Sequence, residues 1–423
     1  MRQKKLVVIG NGMAGVKALE ELLKLAPELY DVTVFGAEPH PNYNRILLSP
    51  VLAGEQSLDD IVLHPLHWYE DHGIHLHLGK QVVGVDRQRR RVVANDGTEA
   101  SYDRLLIATG STPFVLPVPG KGLAGVITYR DIADTRHMID AAKSHQHAVV
   151  IGGGLLGLEA ANGLMSRGMD VTVVHIAAWL MERQLDGVAA ELLQRSLEAR
   201  GLKFRIGAQT QALAGDADHG QGGRVQSVKL ADGTELPADL VVMAAGIRPN
   251  TALAERAGIH CNRGIVVSDT MQTVTDPRVY AVGECASHRG IAYGLVAPLF
   301  EQGKVLANHL AELGIDRYTG SQVSTQLKVT GIDVFSAGEF MGGDGCEDIV
   351  LSDPCGGIYK KLVLRGDKLV GACLYGDTAD GSHYFRLIRE GHSIAERRDH
   401  LMFGPSCIGE AGEVAARAHG GTA

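Results

Sequence analysis

The sequence predicts an α/β chain built on two repeated strand–helix–strand units, followed by a smaller α+β region. Three observations predict it. A short apolar run, Leu6-Val7-Val8-Ile9, leads into Gly10-Asn11-Gly12-Met13-Ala14-Gly15. A second run, Ala148-Val149-Val150-Ile151, leads into Gly152-Gly153-Gly154-Leu155-Leu156-Gly157. Beyond Asp316 the patterning changes to alternating segments punctuated by turn residues.

Taken in order, residues 6–9 read as a strand, 13–25 as a helix and 32–35 as the returning strand, which makes a βαβ unit and implies a parallel sheet. Residues 102–110 form an apolar strand ending in the small turn Ala108-Thr109-Gly110, and the prolines that follow up to Pro119 mark a crossing between domains. The second unit repeats the first: strand 148–151, helix 155–167, strand 171–174. Val279-Tyr280-Ala281-Val282-Gly283-Glu284 is a further strand ending in a small-residue turn and an acid. Segments 360–364 and 368–374 read as antiparallel strands joined by Arg365-Gly366-Asp367.

In each glycine-rich turn the first glycine permits a tight strand-to-helix turn. The second lets backbone approach a pyrophosphate, and the third lets helix and strand pack closely. The pyrophosphate then rests on the positive end of a helix. Two such turns in strand–helix context point to two nucleotide cofactors and two Rossmann-like dinucleotide-binding domains. The expected organisation is a discontinuous first domain (1–115 and 247–316), a second (116–246), and an α+β interface domain (317–423) whose Gly/Ala-rich tail is expected to be mobile.

Bulk properties narrow the class. The 423 residues carry 41 basic and 49 acidic side chains, a formal charge of −8, which argues against a nucleic-acid protein held by phosphate contacts. No apolar stretch approaches the ~18 residues of a membrane span. The charged start, Met1-Arg2-Gln3-Lys4-Lys5, runs into too short an apolar segment for a secretory signal, so a cytoplasmic location is the default expectation. Six cysteines, at 261, 285, 346, 355, 373 and 407, form no Cys-x-x-Cys pair, and a structural or incidental role is expected for each. His64 with His67 and His75 with His77 have metal-like spacing but no evident third and fourth ligand, so no metal site is expected.

Several polar residues fall where a dinucleotide needs them. Glu38, 28 positions after Gly10, can accept hydrogen bonds from an adenosine ribose, with a solvated turn acid as the alternative. Arg45 follows closely enough to reach a pyrophosphate or else to form a surface salt bridge. In the second unit His175 stands 23 positions after Gly152, where an acid favours NAD and an arginine favours NADP; histidine decides neither. Residues 176–179 contain no arginine to grip a 2′-phosphate, so NADH is the expected donor, with NADPH as the alternative.

The order of the two glycine turns, Ala108-Thr109-Gly110, Glu159 and Val282-Gly283-Glu284 resembles the flavoproteins with two dinucleotide-binding domains. Within them, Tyr43-Asn44-Arg45-Ile46-Leu47-Leu48-Ser49-Pro50, Leu180-Met181-Glu182-Arg183-Gln184-Leu185-Asp186 and Tyr293-Gly294-Leu295-Val296-Ala297-Pro298-Leu299 look like the FAD/NAD region of nitrite reductase large subunits. The resemblance implies that Gly10, Gly12, Met13, Ala14, Gly15, Glu38, Arg45, Val83, Ala108, Thr109, Gly110, Gly283, Glu284, Pro298 and Leu299 hold FAD. It implies that Gly152, Gly154, Leu155, Leu156, Gly157, Glu159, His175 and Gly246 face NAD(P)H, with Glu159 and Arg45 positioning the reacting rings. Three departures qualify it. No cysteine precedes Cys261, so a flavin-linked thiol is not expected; Pro50 stands where ferredoxin-type reductases have a lysine; Glu284 replaces the commoner aspartate.

The implied activity is an FAD-dependent NAD(P)H:acceptor oxidoreductase. Nitrite reductase large subunits continue into iron–sulfur and sirohaem modules, whereas this chain ends at Ala423, so its acceptor is expected to be external. A nitrate or nitrite reductase component is the first candidate, and rubredoxin or ferredoxin the alternative. A nucleotide-sensing flavoprotein similar to apoptosis-inducing factor is a reading of a different class. A homo-oligomer is compatible with either.

Overall fold

The first strand, Lys4–Ile9, lies at the centre of a five-stranded parallel sheet. In the computed structural model, which describes residues 3–216, 223–329 and 331–404, the chain divides into two units. One comprises the chain up to Phe114, Arg130–Thr135 and Gly246–Ser321; the other comprises Val115–Tyr129, Arg136–Ala245 and the chain from Gln322 onward. The tail beyond 404, with Cys407, lies outside the described residues.

In the first unit, Lys4–Ile9 is flanked by Tyr30–Gly36 and Arg104–Ile107, with His75–Leu78 and Val279–Ala281 at the edges. Leu6, Val8, Leu105, Leu106 and Ile107 are fully buried, because a parallel strand covered on both faces must be apolar along its whole length. Helix Met13–Leu25 buries Val16, Ala18, Leu19 and Leu22, a 3.6-residue stripe, and packs against helix Val296–Leu310. Gly303 makes that approach close: a Cβ there would stand 3.4 Å from the Ala18 nitrogen. Strands Ser111–Pro113 and Ile247–Pro249 pair antiparallel, where the chain leaves and re-enters the unit.

The second unit repeats the plan. Its five-stranded sheet runs Val126–Thr128, Leu240–Met243, His147–Ile151, Asp170–His175, Lys203–Ile206, and every pair is parallel. Helix Leu155–Ser166 follows the central strand. The same unit contains an antiparallel five-stranded sheet in which Ile358–Arg365 and Lys368–Tyr375 form the hairpin read from the sequence, with Gly366 supplying φ +62° at the turn. Helix Gly381–Glu390 covers this sheet, burying Tyr384 and Leu387 with Phe335, Leu362, Leu364 and Leu374.

Two successive lysines in that hairpin are buried. Lys360 reaches Asp377 at 2.6 Å and Asp380 at 3.3 Å, while Lys361 reaches Asp348 at 3.0 Å and Asp186 at 3.9 Å. Asp186 is itself 7% exposed, caps helix Gly187–Glu198 by accepting the Ala189 N–H, and accepts the Tyr359 hydroxyl at 2.7 Å. Burial and this carboxylate push the Tyr359 phenol well above its usual range. Removing the carboxylate deletes a helix cap, at about 1 kcal/mol, and orphans a buried hydroxyl, at about 1–3 kcal/mol. Asp186→Ala is therefore expected to lower stability by about 2–4 kcal/mol in urea unfolding. A loss below about 0.5 kcal/mol, the scale of a surface substitution, would show that the network does not hold this unit together.

Candidate functional site

The two glycine turns have the same local geometry. Gly10 and Gly152 have φ of +114° and +127°, and a Cβ on either would lie 2.1 Å from the Ala108 carbonyl oxygen or 2.3 Å from that of Ala244. These glycines are needed by the chain itself. Gly15 and Gly157 bring the helix onto the strand, since a Cβ would meet the Gly10 oxygen at 3.1 Å and the Gly152 oxygen at 1.9 Å. Gly12 and Gly154 differ in kind. Each stands at the N-cap with an extended backbone, φ −84° and −81°, and nothing lies within 4 Å of a Cβ built there. Protein packing does not require glycine at these two positions, whereas a pyrophosphate lying on the helix N-terminus does.

Several of the predicted residues lie around the first turn, whereas among the described residues no hydrogen bond joins Val83 to it. Gly283, φ +87°, approaches Ala14, whose Cβ would be 3.1 Å from one added at Gly283. The Ala108-Thr109-Gly110 turn is clasped by Asn250: Thr109 donates to its carbonyl at 3.0 Å, and the Asn250 amide donates to the Thr109 carbonyl at 2.8 Å. Pro298 and Leu299 are buried in the first turn of helix Val296–Leu310. Met13 opens helix Met13–Leu25. Val83 sits half-exposed on strand Val82–Asp86, its carbonyl facing Arg256 at 3.5 Å.

Glu38, just beyond strand Tyr30–Gly36, accepts from the Tyr43 hydroxyl at 2.7 Å and from Arg45. Arg45 also donates to the Arg130 carbonyl at 2.9 Å and lies over the Tyr43 ring, 5.2 Å from its centroid. Burial works against its charge, but Tyr43 and Glu38 outweigh that and hold the guanidinium above its ordinary pKa. Arg130 in turn pairs with Glu284, which also accepts from Ser111 at 2.8 Å. Both bonds fall on Oε2 of Glu284, leaving Oε1 for a further donor such as a sugar hydroxyl. One polar chain thus links Glu38, Arg45, Arg130 and Glu284. Beside it, Gln302 accepts the Gly283 N–H at 3.2 Å, and its buried Nε2 lies towards the Tyr318 hydroxyl without completing a hydrogen bond among the described residues. An orphaned buried donor, and a carboxylate oxygen with no hydrogen bond among the described residues, fit a further polar group at the Gly283-Glu284 turn.

Arg130, Ser111, Asn250 and Gln302 carry no motif, and sequence reading missed them. Gln302 had one signal, a polar residue on the buried face of a helix.

In the second unit His175 lies beneath the turn, 7% exposed. Its Nδ1 accepts the Gly153 N–H at 3.0 Å, and its Nε2–H faces Glu182 at 3.1 Å. His175 therefore supports the loop through the Gly153 backbone, and Gly153 is required in return: a Cβ there would stand 2.7 Å from the His175 ring. Leu155 and Leu156 open helix Leu155–Ser166, and Glu159 lies one turn in, half-buried. Gly246, φ +110°, belongs to the first unit, where its carbonyl accepts the Phe114 N–H at 2.8 Å.

Cys285 is fully buried, with its thiol directed at the carbonyls of Val282 (3.3 Å) and Ile107 (3.5 Å); burial raises its pKa, which keeps it protonated. Desolvation likewise pushes Cys261 up to about 11. No group of three metal-ligating side chains occurs among the described residues; His75 faces Asp31 and His77 stacks on Phe35. No helix among them is long and apolar enough to cross a membrane.

The family model described as pyridine nucleotide-disulphide oxidoreductase matches residues 4–303. The chain belongs to that family. Residues 324–392 match the rubredoxin NAD+ reductase C-terminal domain. As a member of the pyridine nucleotide-disulphide oxidoreductase family the chain is an FAD- and NAD(P)H-dependent oxidoreductase with two dinucleotide-binding folds and a C-terminal α+β region. It is similar to a nitrite reductase [NAD(P)H] of Bacillus subtilis (strain 168), 52% identical over 396 residues, which cover 94% of this chain and 48% of that protein. It is also similar to an assimilatory nitrate reductase electron transfer subunit of the same organism, 48% identical over 90% of this chain and 48% of that one. The chain thus spans about half the length of these curated relatives. Among solved structures, a covalent putidaredoxin reductase–putidaredoxin complex gives a TM-score of 0.82 at 26% identity, covering 92% of this chain and 94% of that one.

Proposed function

We propose that the chain takes electrons from NADH through FAD and delivers them to a separate carrier or reductase module of nitrate or nitrite assimilation. Bound FAD supplies a ring that accepts a hydride as an electron pair and can return electrons singly. The residues' share is positioning. Gly12 and Gly154 leave room for the pyrophosphates, Glu38 and Arg45 orient the adenosine end and the flavin edge, Glu284 and Gln302 offer polar contacts to the flavin chain, and Glu159 orients the nicotinamide. No side-chain nucleophile is needed, since the gain comes from alignment of the reacting atoms.

The observation that carries this reading is the state of the thiols. Disulphide chemistry, present in the family's name, needs a reactive cysteine. The first cysteine here is Cys261, and Cys285, beside the candidate flavin-chain acid Glu284, is buried and tied to two carbonyls. Neither Cys261 nor Cys285 offers a reactive thiol beside the candidate flavin turn, so an acceptor beyond the described residues fits this reading best. The identities to the two Bacillus proteins support a nitrate or nitrite reductase component as that acceptor. The match of residues 324–392 supports rubredoxin or ferredoxin as the second reading.

Stopped-flow absorbance tests the proposal. NADH is expected to bleach the flavin rapidly and faster than NADPH, nitrite alone to leave the reduced flavin unchanged, and a purified carrier to reoxidise it within the turnover time. Faster reduction by NADPH would overturn the NADH preference. Slow reduction with a long-lived reduced complex and NADH-dependent oligomerisation would replace the relay with a sensor.

A further inference from the structure

The turn between strands Val82–Asp86 and Arg91–Ala94 carries arginine at 87, 89, 90 and 91. Four guanidinium groups in five positions repel one another unless each finds a partner. Two do. Arg87 donates to the carbonyls of Ala257 (2.7 Å) and Gly258 (3.2 Å), and Arg91 pairs with Glu99 at 2.6 Å. Arg89 has only a 3.9 Å approach to Asp86, and Arg90 has no ion pair among the described residues. Both line a cavity of about 430 Å³ together with Lys4, Lys5 and Arg104, against a single lining carboxylate, Asp103.

That carboxylate accepts the Lys5 backbone N–H at 2.9 Å, and Lys4 pairs with Glu312. Among the described residues, the Lys5 ammonium's hydrogen-bond partner is the Ser101 hydroxyl, at 3.4 Å. Arg90 is held in place by its own backbone: it sits at φ +53°, and its carbonyl accepts the Tyr102 N–H at 2.9 Å. A chain of net charge −8 has therefore gathered under-neutralised cations, two of them arginines, in one concave site. The site is an open depression, so a ligand would be held by charge and hydrogen bonds and not by enclosure. Arginine forks and a lysine point charge are the donor set that matches phosphate oxygens.

Lys4 and Lys5 begin the strand whose far end is Ile9, just before Gly10. At about 3.3 Å per residue the cavity lies roughly 17–20 Å from the first glycine turn. We propose that it binds a small phosphate-bearing polyanion at a site separate from both dinucleotide cradles, independently of the electron acceptor's identity.

Calorimetric titration of the FAD-loaded protein with inorganic pyrophosphate, at fixed ionic strength and with NAD+ saturating the second cradle, tests this. One-to-one binding is expected to persist under NAD+, and Arg90→Asn, whose side chain tolerates the left-handed turn, is expected to weaken it tenfold or more. Flavin content checks the fold of each variant; should Arg90→Asn lose flavin, Arg89→Gln at an exposed position carries the same expectation. Absence of binding, loss of binding under NAD+, or unchanged affinity in a folded variant would overturn the proposal, and tighter binding of citrate would overturn the phosphate assignment.

Discussion

Gly12→Val is expected to give a folded protein without flavin. The backbone at Gly12, φ −84° and ψ 176°, is one that valine adopts readily, and no protein atom lies within 4 Å of the added Cβ. The substitution therefore costs the apo-protein little in packing and about 1 kcal/mol as a poorer N-cap residue. On the proposed reading, it fills the space through which a pyrophosphate would reach the helix N-terminus and removes the hydrogen bonds that would form there. Retained flavin is expected to fall to roughly a tenth or less, a loss of about 1.4 kcal/mol or more in binding. Gly10→Ala provides the contrast. Its Cβ would meet the Ala108 carbonyl oxygen at 2.1 Å in a left-handed backbone, so the fold itself is expected to weaken by roughly 3 kcal/mol. Absorbance near 450 nm, read beside urea unfolding of the apo-proteins, separates the two effects. Full flavin in Gly12→Val would remove FAD from this turn.

The contrast between Gly10 and Gly12 also shows what kind of information the sequence carries. Gly10 and Gly152 are legible because their requirement is local: a tight strand-to-helix turn needs a positive φ wherever it occurs. The apolar runs around them are legible because a parallel strand covered on both faces has few polar positions to spare. Arg130 belongs to neither category. It meets the Arg45 side chain 85 positions away and Glu284 154 positions away, and those distances close only when the short segment Arg130–Thr135 joins the first unit. Lys360 and Lys361 are a further case: both are buried because Asp377, Asp380, Asp348 and Asp186 arrive from other elements, which adjacency in the sequence does not encode. His175 is intermediate. Its position at a strand end was readable, but its use of Nδ1 to hold the Gly153 N–H depends on ring orientation, which spacing does not encode.

Gly154→Val is expected to separate the two nucleotides. Its site matches Gly12 in every local respect, with φ −81°, an N-cap position and open space for a Cβ, but it belongs to the other unit. The variant should therefore retain its full complement of flavin, bleach normally with dithionite, and lose reduction by NADH. A misplaced nicotinamide forfeits the alignment on which hydride transfer depends, so the NADH reduction rate at fixed concentration is expected to fall about a hundredfold or more. Saturation with NADH distinguishes the causes: a raised half-saturation concentration with an unchanged limiting rate reports lost binding, and a lowered limiting rate reports lost alignment. Wild-type reduction by NADH in Gly154→Val would place the donor elsewhere and dissolve the division of labour between the two turns. Loss of flavin in the same variant would instead make the second turn part of the flavin site. The paired outcome, Gly12→Val without flavin and Gly154→Val with flavin that NADH cannot reduce, follows only if each turn holds its own dinucleotide.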